Sequence, residues 1–153
     1  MLVVREVTAA DVAAVIELVA ATLAEFGLEF GRGAATDAEL HQLPDSYVAR
    51  GGAFWVGCDD AAMLGTCGVF PVAADTFELR KMYLRPAARG RGLGTQLLDV
   101  AVAWVKARDG RRIVLDTVEA MTKAIAFYEA HGFVRDDAQI RGSRCTRGYV
   151  RAL

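Results

Sequence analysis

Apolar positions change period along the chain, and the changes mark out its elements. Leu2 to Val7 alternates as a short strand. Thr8 with Asp11 three residues on has the form of a capping box, and Val12, Val15, Ile16, Val19, Leu23 and Phe26 then recur at helical spacing. A helix is therefore predicted through about Phe26. Residues 27 to 35 carry three glycines and read as a loop. Thr36 and Glu39 repeat the capping signal, predicting a short second helix that ends before Pro44. From Gly51 the period falls to two. Ala53 to Cys58, Leu64 to Val72 and a run ending at Leu84 read as three antiparallel strands, with turns at Asp59-Asp60 and over residues 73 to 76. Arg85-Pro86 stops the last of them, since proline cannot donate to a ladder and holds the preceding residue extended.

The helical period returns after Gly92, with Leu93, Leu97, Ala101, Trp104 and Val105 on one face. Arg112 to Thr117 is a further strand, a helix runs through Tyr128, and Gly132 suits a left-handed position after it. Phe133 to Asp136 with Cys145 to Ala152 reads as a closing hairpin. The order is β-α-α-β-β-β-α-β-α-β-β, which predicts a mixed sheet with helices on its faces.

Candidate chemistry concentrates where the third antiparallel strand meets a helix. Arg89-Gly90-Arg91-Gly92-Leu93-Gly94 offers backbone N–H groups unobstructed by side chains at a helix start, where the dipole is positive: a seat for an anion, with phosphate the expected ligand. Between Leu79 and Leu98 stand Arg80, Lys81, Arg85, Arg89 and Arg91 with no Asp or Glu. A nucleoside-triphosphate loop fits poorly because no Gly-Lys-Ser/Thr ending is present. A dinucleotide fold fits poorly because its glycine fingerprint opens a βαβ unit and is followed by an acidic residue.

Composition narrows the class. The chain has 153 residues, 54% of them hydrophobic, and a formal net charge of −1, as expected for a single globular domain over residues 1–153. A near-neutral balance argues against nucleic acid as a partner. No charged-then-apolar leader and no uninterrupted apolar span is visible, so neither export nor membrane insertion is signalled and a cytoplasmic location is expected. Cys58, Cys67 and Cys145 have no metal-ligand spacing and read as free thiols, so no metal is expected.

The Arg-x-x-Gly-x-Gly loop after a strand that ends in proline, followed by Val114-Leu115-Asp116-Thr117 and then by Ala124-Ile125-Ala126-Phe127-Tyr128-Glu129-Ala130-His131-Gly132-Phe133, resembles the GNAT superfamily of acyl-CoA-dependent N-acetyltransferases. The resemblance implies an α/β fold with a mixed, mostly antiparallel twisted sheet and helices on both faces. It also implies acetyl-CoA as co-substrate and a small-molecule or peptide amine as acceptor, and a homodimer is allowed for. The CoA phosphates would sit on Arg89, Gly90, Arg91, Gly92, Leu93, Gly94 and Thr95. The central strand would splay from its neighbour at a bulge, freeing backbone groups of Met82, Tyr83 and Leu84 for pantetheine and the thioester oxygen. Tyr128 matches a tyrosine that protonates the leaving thiolate in many members, and a phenol with a pKa of about 10 stays protonated to do so. Asp116 or Glu78 would act as general base through water. One departure stands at Met121, where the family often has an asparagine that contacts the cofactor. Methionine there could pack against the pantetheine instead.

The acceptor stays open among a polyamine, an amino acid, an aminoglycoside and a protein N-terminus. Residues 25 to 45 hold Glu25, Glu29, Asp37, Glu39 and Asp45 against Arg32, an acidic lip that would favour a cationic amine. A second reading is a module that holds acyl-CoA without transferring the acyl group.

Overall fold

A computed structural model describes residues 1–153. The elements are β1 (Leu2–Glu6), α1 (Val12–Ala24), α2 (Asp45–Val48), β2 (Ala53–Asp59), β3 (Ala62–Ala73), β4 (Thr76–Leu84), α3 (Leu93–Lys106), β5 (Arg112–Thr117), α4 (Thr122–Ala130), β6 (Val134–Arg135) and β7 (Arg147–Ala152). The seven strands form one sheet in the order β1-β2-β3-β4-β5-β7-β6, antiparallel at every junction except β4–β5. One face buries Leu97, Leu98, Ala101 and Val105 of α3 against Trp55, Cys67, Phe77 and Ile113, and the other buries Val15, Leu18, Val19 and Leu23 of α1 against Phe54 and Val56. The α/β class and the sheet with helices on both faces are as expected.

Local signals account for most boundaries. The capping box at Thr8 forms, with the Asp11 carboxylate accepting the Thr8 N–H at 2.8 Å, although the first turn, Ala9–Asp11, is 3₁₀. The helix expected through Phe26 ends at Ala24, because Gly27 turns left-handed (φ 71°) and Leu28 N–H closes back on Leu23 O at 3.0 Å. The second helix is the larger departure. Ala35–Gln42 is a 3₁₀ stretch and an unforeseen α2 follows Pro44. Only Asp37 and Leu40 of the 3₁₀ stretch are buried, so it lacks the continuous apolar stripe that would sustain an α-helix.

Two features of β4 position the site. Its parallel pairing with β5 covers only Thr76–Arg112, Phe77–Ile113 and Glu78–Val114, beyond which the two strands diverge. Its pairing with β3 is also interrupted: Arg80 faces Gly68 and Tyr83 faces Thr66, so Lys81 and Met82 together oppose Cys67. This is a β-bulge, with Lys81 in the left-handed region (φ 53°) and its carbonyl accepting the Thr66 hydroxyl at 2.7 Å. The bulge reverses side-chain parity. Before it Phe77 and Leu79 belong to the α3 core; after it Met82 and Leu84 do, and Tyr83 turns to the α1 side.

Candidate active site

The bulge and the divergence expose backbone together. Arg85 N–H donates to Leu64 O at 2.8 Å, so by antiparallel alternation Arg85 and Tyr83 bond to β3, while Met82 and Leu84 turn their N–H and C=O toward the gap left by β5. A wedge-shaped cavity of about 520 Å³ occupies that gap. Met82, Tyr83 and Leu84 line one wall; Met121, Ala124, Phe127 and Tyr128 line the other; Glu25 and Phe26 close one end. Its size suits a small-molecule ligand, and its position outside the carboxyl ends of diverging strands is where open sheets bind ligands.

The glycine loop forms the mouth. Gly90 (φ 79°) and Gly92 (φ 82°) hold conformations that L side chains resist, and α3 starts at Leu93. The first bond into that helix runs from Gln96 N–H to Gly92 O at 3.1 Å, leaving the N–H groups of Gly92, Leu93, Gly94 and Thr95 without an acceptor in the chain. Four orphan donors at the positive end of a fourteen-residue helix make an anion seat. Leu93 anchors it: its side chain is fully buried over Gly57, where an added Cβ would come within 2.6 Å of Leu93 Cδ1.

Side chains of the loop divide. Arg89 lines the cavity, and its Nη2 lies 3.2 Å from both carboxylate oxygens of Glu25 and 3.5 Å from Leu84 O. Arg91 turns away to Asp59, at 2.9 Å. The Thr95 hydroxyl meets His131 Nε2 at 3.3 Å. Arg89, Gly90 and Gly94 line the wedge, whereas Arg91, Gly92, Leu93 and Thr95 stand behind its lining.

Tyr128 projects from α4, largely buried, edge-on to Phe127 and Phe133, and its hydroxyl has no hydrogen-bond partner in the protein. Burial pushes the phenol above its ordinary value. Tyr83 is pushed up to about 12, again by burial, with the Arg144 charge opposing. Met121, at the start of α4, is buried and accepts the Thr117 hydroxyl on sulfur at 3.7 Å.

A second cavity of about 180 Å³ shares Met82, Tyr83, Met121, Ala124 and Tyr128 with the wedge. Glu78 and Asp116 both reach its wall and both are engaged. Glu78 takes Arg80 Nε on Oε1 at 2.5 Å and Arg141 Nη1 on Oε2 at 3.4 Å. Asp116 takes the N–H groups of Arg141 and Gly142 on Oδ2, at 2.7 and 2.8 Å, accepts no N–H on Oδ1, and lies beside the Cys145 thiol.

Of the five acids expected to form a lip over residues 25 to 45, four are paired with cations and Asp45 alone stands exposed without one. Glu25 is held by Arg89, Glu29 by Arg32 and Glu39 by Arg80. Asp37 is fully buried, ion-paired to Lys81 and at 2.9 Å to Arg144. Carboxylates that look unmatched in sequence find cations 3 to 107 positions away. The arginines of the Arg-Gly-Ser-Arg-Cys-Thr-Arg run, Arg141, Arg144 and Arg147, were the overlooked signal, and two of them line the second cavity.

Residues 19–133 match the family model for the acetyltransferase (GNAT) family. The chain is 33% identical over 139 residues to an uncharacterised N-acetyltransferase of Escherichia coli K12, a match that covers 88% of this chain and 83% of that one. Among solved structures, a GNAT-family acetyltransferase of Staphylococcus aureus superposes with a TM-score of 0.93 at 22% identity, covering 100% and 99% of the two chains. A phosphinothricin acetyltransferase of Sinorhizobium meliloti, solved in complex with acetyl-CoA, superposes with a TM-score of 0.76 at 22% identity, covering 99% and 88%. By the family model and the bacterial relative, this chain belongs to the GNAT family of acetyltransferases.

Proposed function

We propose that the chain moves an acetyl group from acetyl-CoA to a primary amine by direct attack within a ternary complex, residues 1–153 acting as one catalytic domain. The observation that carries this reading is the wedge itself: backbone groups of Met82 and Leu84 turned to the gap, an unpartnered Tyr128 hydroxyl and a row of orphan amides at one mouth, with a second cavity meeting the first beside Tyr128. The family's solved members include one in complex with acetyl-CoA.

In this reading the amides of Gly92 to Thr95 and the Arg89 guanidinium hold the cofactor phosphates, Arg89 exchanging Glu25 for phosphate oxygens. Backbone groups of Met82 and Leu84 bind pantetheine, and one N–H stabilises the oxyanion as the carbonyl becomes tetrahedral. Met121 and Phe127 flank the thioester arm. The acceptor enters through the second cavity as an ammonium and loses a proton to water, relayed to Asp116, whose Oδ1 accepts no N–H; Glu78, bonded at both oxygens, serves as an ionic strut. The amine lone pair forms the C–N bond, the C–S bond breaks, Tyr128 donates its proton to the departing thiolate, and the proton shed by the new amide nitrogen restores the phenol while Asp116 returns its proton to solvent. Burial favours that proton staying on the phenol until then. The products are the N-acetylated amine, CoA thiol and one proton.

Calorimetry with acetyl-CoA against dephospho-CoA, followed by thiol release with an amine library, tests the reading. Tyr128→Phe is expected to lower kcat about a hundredfold or more with acetyl-CoA affinity nearly unchanged. Full activity in that variant would remove the acid role, and failure to bind acetyl-CoA would remove the function.

A further inference from the structure

We infer that the acceptor amine carries a carboxylate, which seats on Lys81 and Arg144 in the second cavity. The inference rests on the acetyl-transfer reading and adds the substrate class.

Four cationic side chains, Arg80, Lys81, Arg141 and Arg144, line this cavity against two carboxylates, Glu78 and Asp116. Glu78 and Asp116 have their own partners. Glu78 is bonded at both oxygens by Arg80 and Arg141, and Asp116 is turned into the 141–142 backbone. Lys81 and Arg144 are different. Their side chains are 4% and 11% exposed, and they share a single carboxylate, Asp37, which is not part of the cavity wall.

Lys81 and Arg144 share Asp37, and Asp116, which takes only backbone N–H groups, supplies a second negative charge on the same wall, so what the pair offers a ligand is directed N–H groups rather than an excess of charge. Those donors are unfilled. The Lys81 ammonium has three N–H groups and one protein acceptor, Asp37. Arg144 places Nη1 on Arg32 O and Asp37, and Nη2 on Asp37, while its Nε has no acceptor. The bulge creates this arrangement, because left-handed Lys81 sends its side chain to the same face as Arg80.

Size and lining narrow the ligand further. About 180 Å³ falls below the roughly 300–1,000 Å³ of drug-sized sites, so a small acceptor fits better than a folded or polymeric one. Leu23, Leu28, Leu115 and Val118 supply an apolar wall beside the cations, and the shared wall at Tyr83 and Tyr128 is where the amine would meet the thioester. An amino acid with an apolar side chain has all three parts: an amine for transfer, a carboxylate for the cations and an alkyl group for the wall.

The test compares matched acceptors on the wild-type protein with saturating acetyl-CoA: leucine against 3-methylbutylamine and phenylalanine against phenethylamine, read as thiol release and as N-acetyl product by mass. The amino acids are expected to exceed their decarboxylated partners in kcat/KM by about tenfold or more, as for one charge-assisted contact. In Arg144→Gln and Lys81→Met that ratio should fall toward one, through KM. Transfer to the decarboxylated amines as good as or better than to the amino acids would overturn the inference and leave acetyl transfer standing. If acetyl-CoA binds but no amine is consumed, calorimetric titration of leucine into the CoA-loaded protein decides separately. Binding that 3-methylbutylamine does not reproduce supports the carboxylate seat, and no binding of either overturns it.

Discussion

Asp37 is the carboxylate on which two nearly buried cations depend. It is fully buried, takes the Gly31 N–H at 2.8 Å, the Arg144 guanidinium at 2.9 and 3.2 Å, and the Lys81 ammonium. Asp37→Asn nearly preserves shape while deleting the charge, so Lys81 and Arg144 are left on a neutral amide with no negative charge between them. Breaking a buried pair by removing one partner costs about 3–5 kcal/mol, and two cations depend on this carboxylate. A domain of this length shifts by about 2–4 °C per kcal/mol, so melting should fall by about 6–20 °C. Differential scanning calorimetry measures it, with a denaturant titration at unchanged m to exclude a change in the unfolded state. The sign of the pH dependence is fixed as well. Burial alone would raise the Asp37 pKa, but the bonds from Arg144 and Lys81 together hold it below the usual carboxylate value. A depressed carboxylate stabilises fully above its unfolded pKa, about 3.9, and that stability is lost as pH falls through the lower folded value. The gap between wild type and Asp37→Asn should therefore be complete at pH 7 and close in acid below about pH 4. A loss under about 1 kcal/mol at pH 7, or a gap that persists unchanged in strong acid, would refute the view that this carboxylate carries charge for two cations.

Three further outcomes follow from the wedge and its mouth. Because Glu25 occupies Arg89 at a half-exposed pair, Glu25→Gln should tighten acetyl-CoA binding about two- to fivefold by calorimetry, in line with the small worth of such pairs; weaker binding would mean that Glu25 helps the ligand. Gly57→Ala forces Leu93 aside and should cost about 1–3 kcal/mol in chemical denaturation, together with weaker acetyl-CoA binding; loss of stability alone would disconnect Leu93 from the anion seat. If Tyr128 is the acid, its raised pKa keeps it protonated through alkaline pH, so kcat should not fall between pH 8 and 10; an alkaline limb in that range which Tyr128→Phe abolishes would contradict the burial argument.

Period and punctuation in the sequence carried the order of elements along the chain, the α3 start and the strand Arg112–Thr117, because each depends on residues within a few positions of one another. Tyr128 and Met121 on α4 entered only through the family resemblance, which the glycine loop and the block Ala124 to Phe133 carry as two compact stretches of sequence. What was not legible depends on partners far apart. The acidic stretch looked like a cationic-amine lip until Asp37 met Lys81, 44 residues away, and Arg144, 107 residues away. Capping signals at Thr36 and Glu39 suggested an α-helix, but the fold uses that stretch to bury a carboxylate rather than an apolar stripe. Nothing local distinguishes Lys81 as the left-handed residue of a bulge, since that conformation is imposed by Thr66, Asp37 and the strand pairing around it.

The three residue pairs that join β4 to β5 are also a mechanical statement about the sheet. Strands β1 to β4 form one continuous hydrogen-bonded panel and β5, β7 and β6 another, and the seam between the panels is short because the wedge takes up the rest of its length. A ligand lying in the wedge bonds to β4 on one side and packs on α4 on the other, so it supplies the cross-panel adhesion that backbone ladders provide elsewhere. The loaded protein should then resist being pulled apart along this line, and amide hydrogens at the free ends of β4 and β5 should exchange with solvent more slowly than in the unliganded chain.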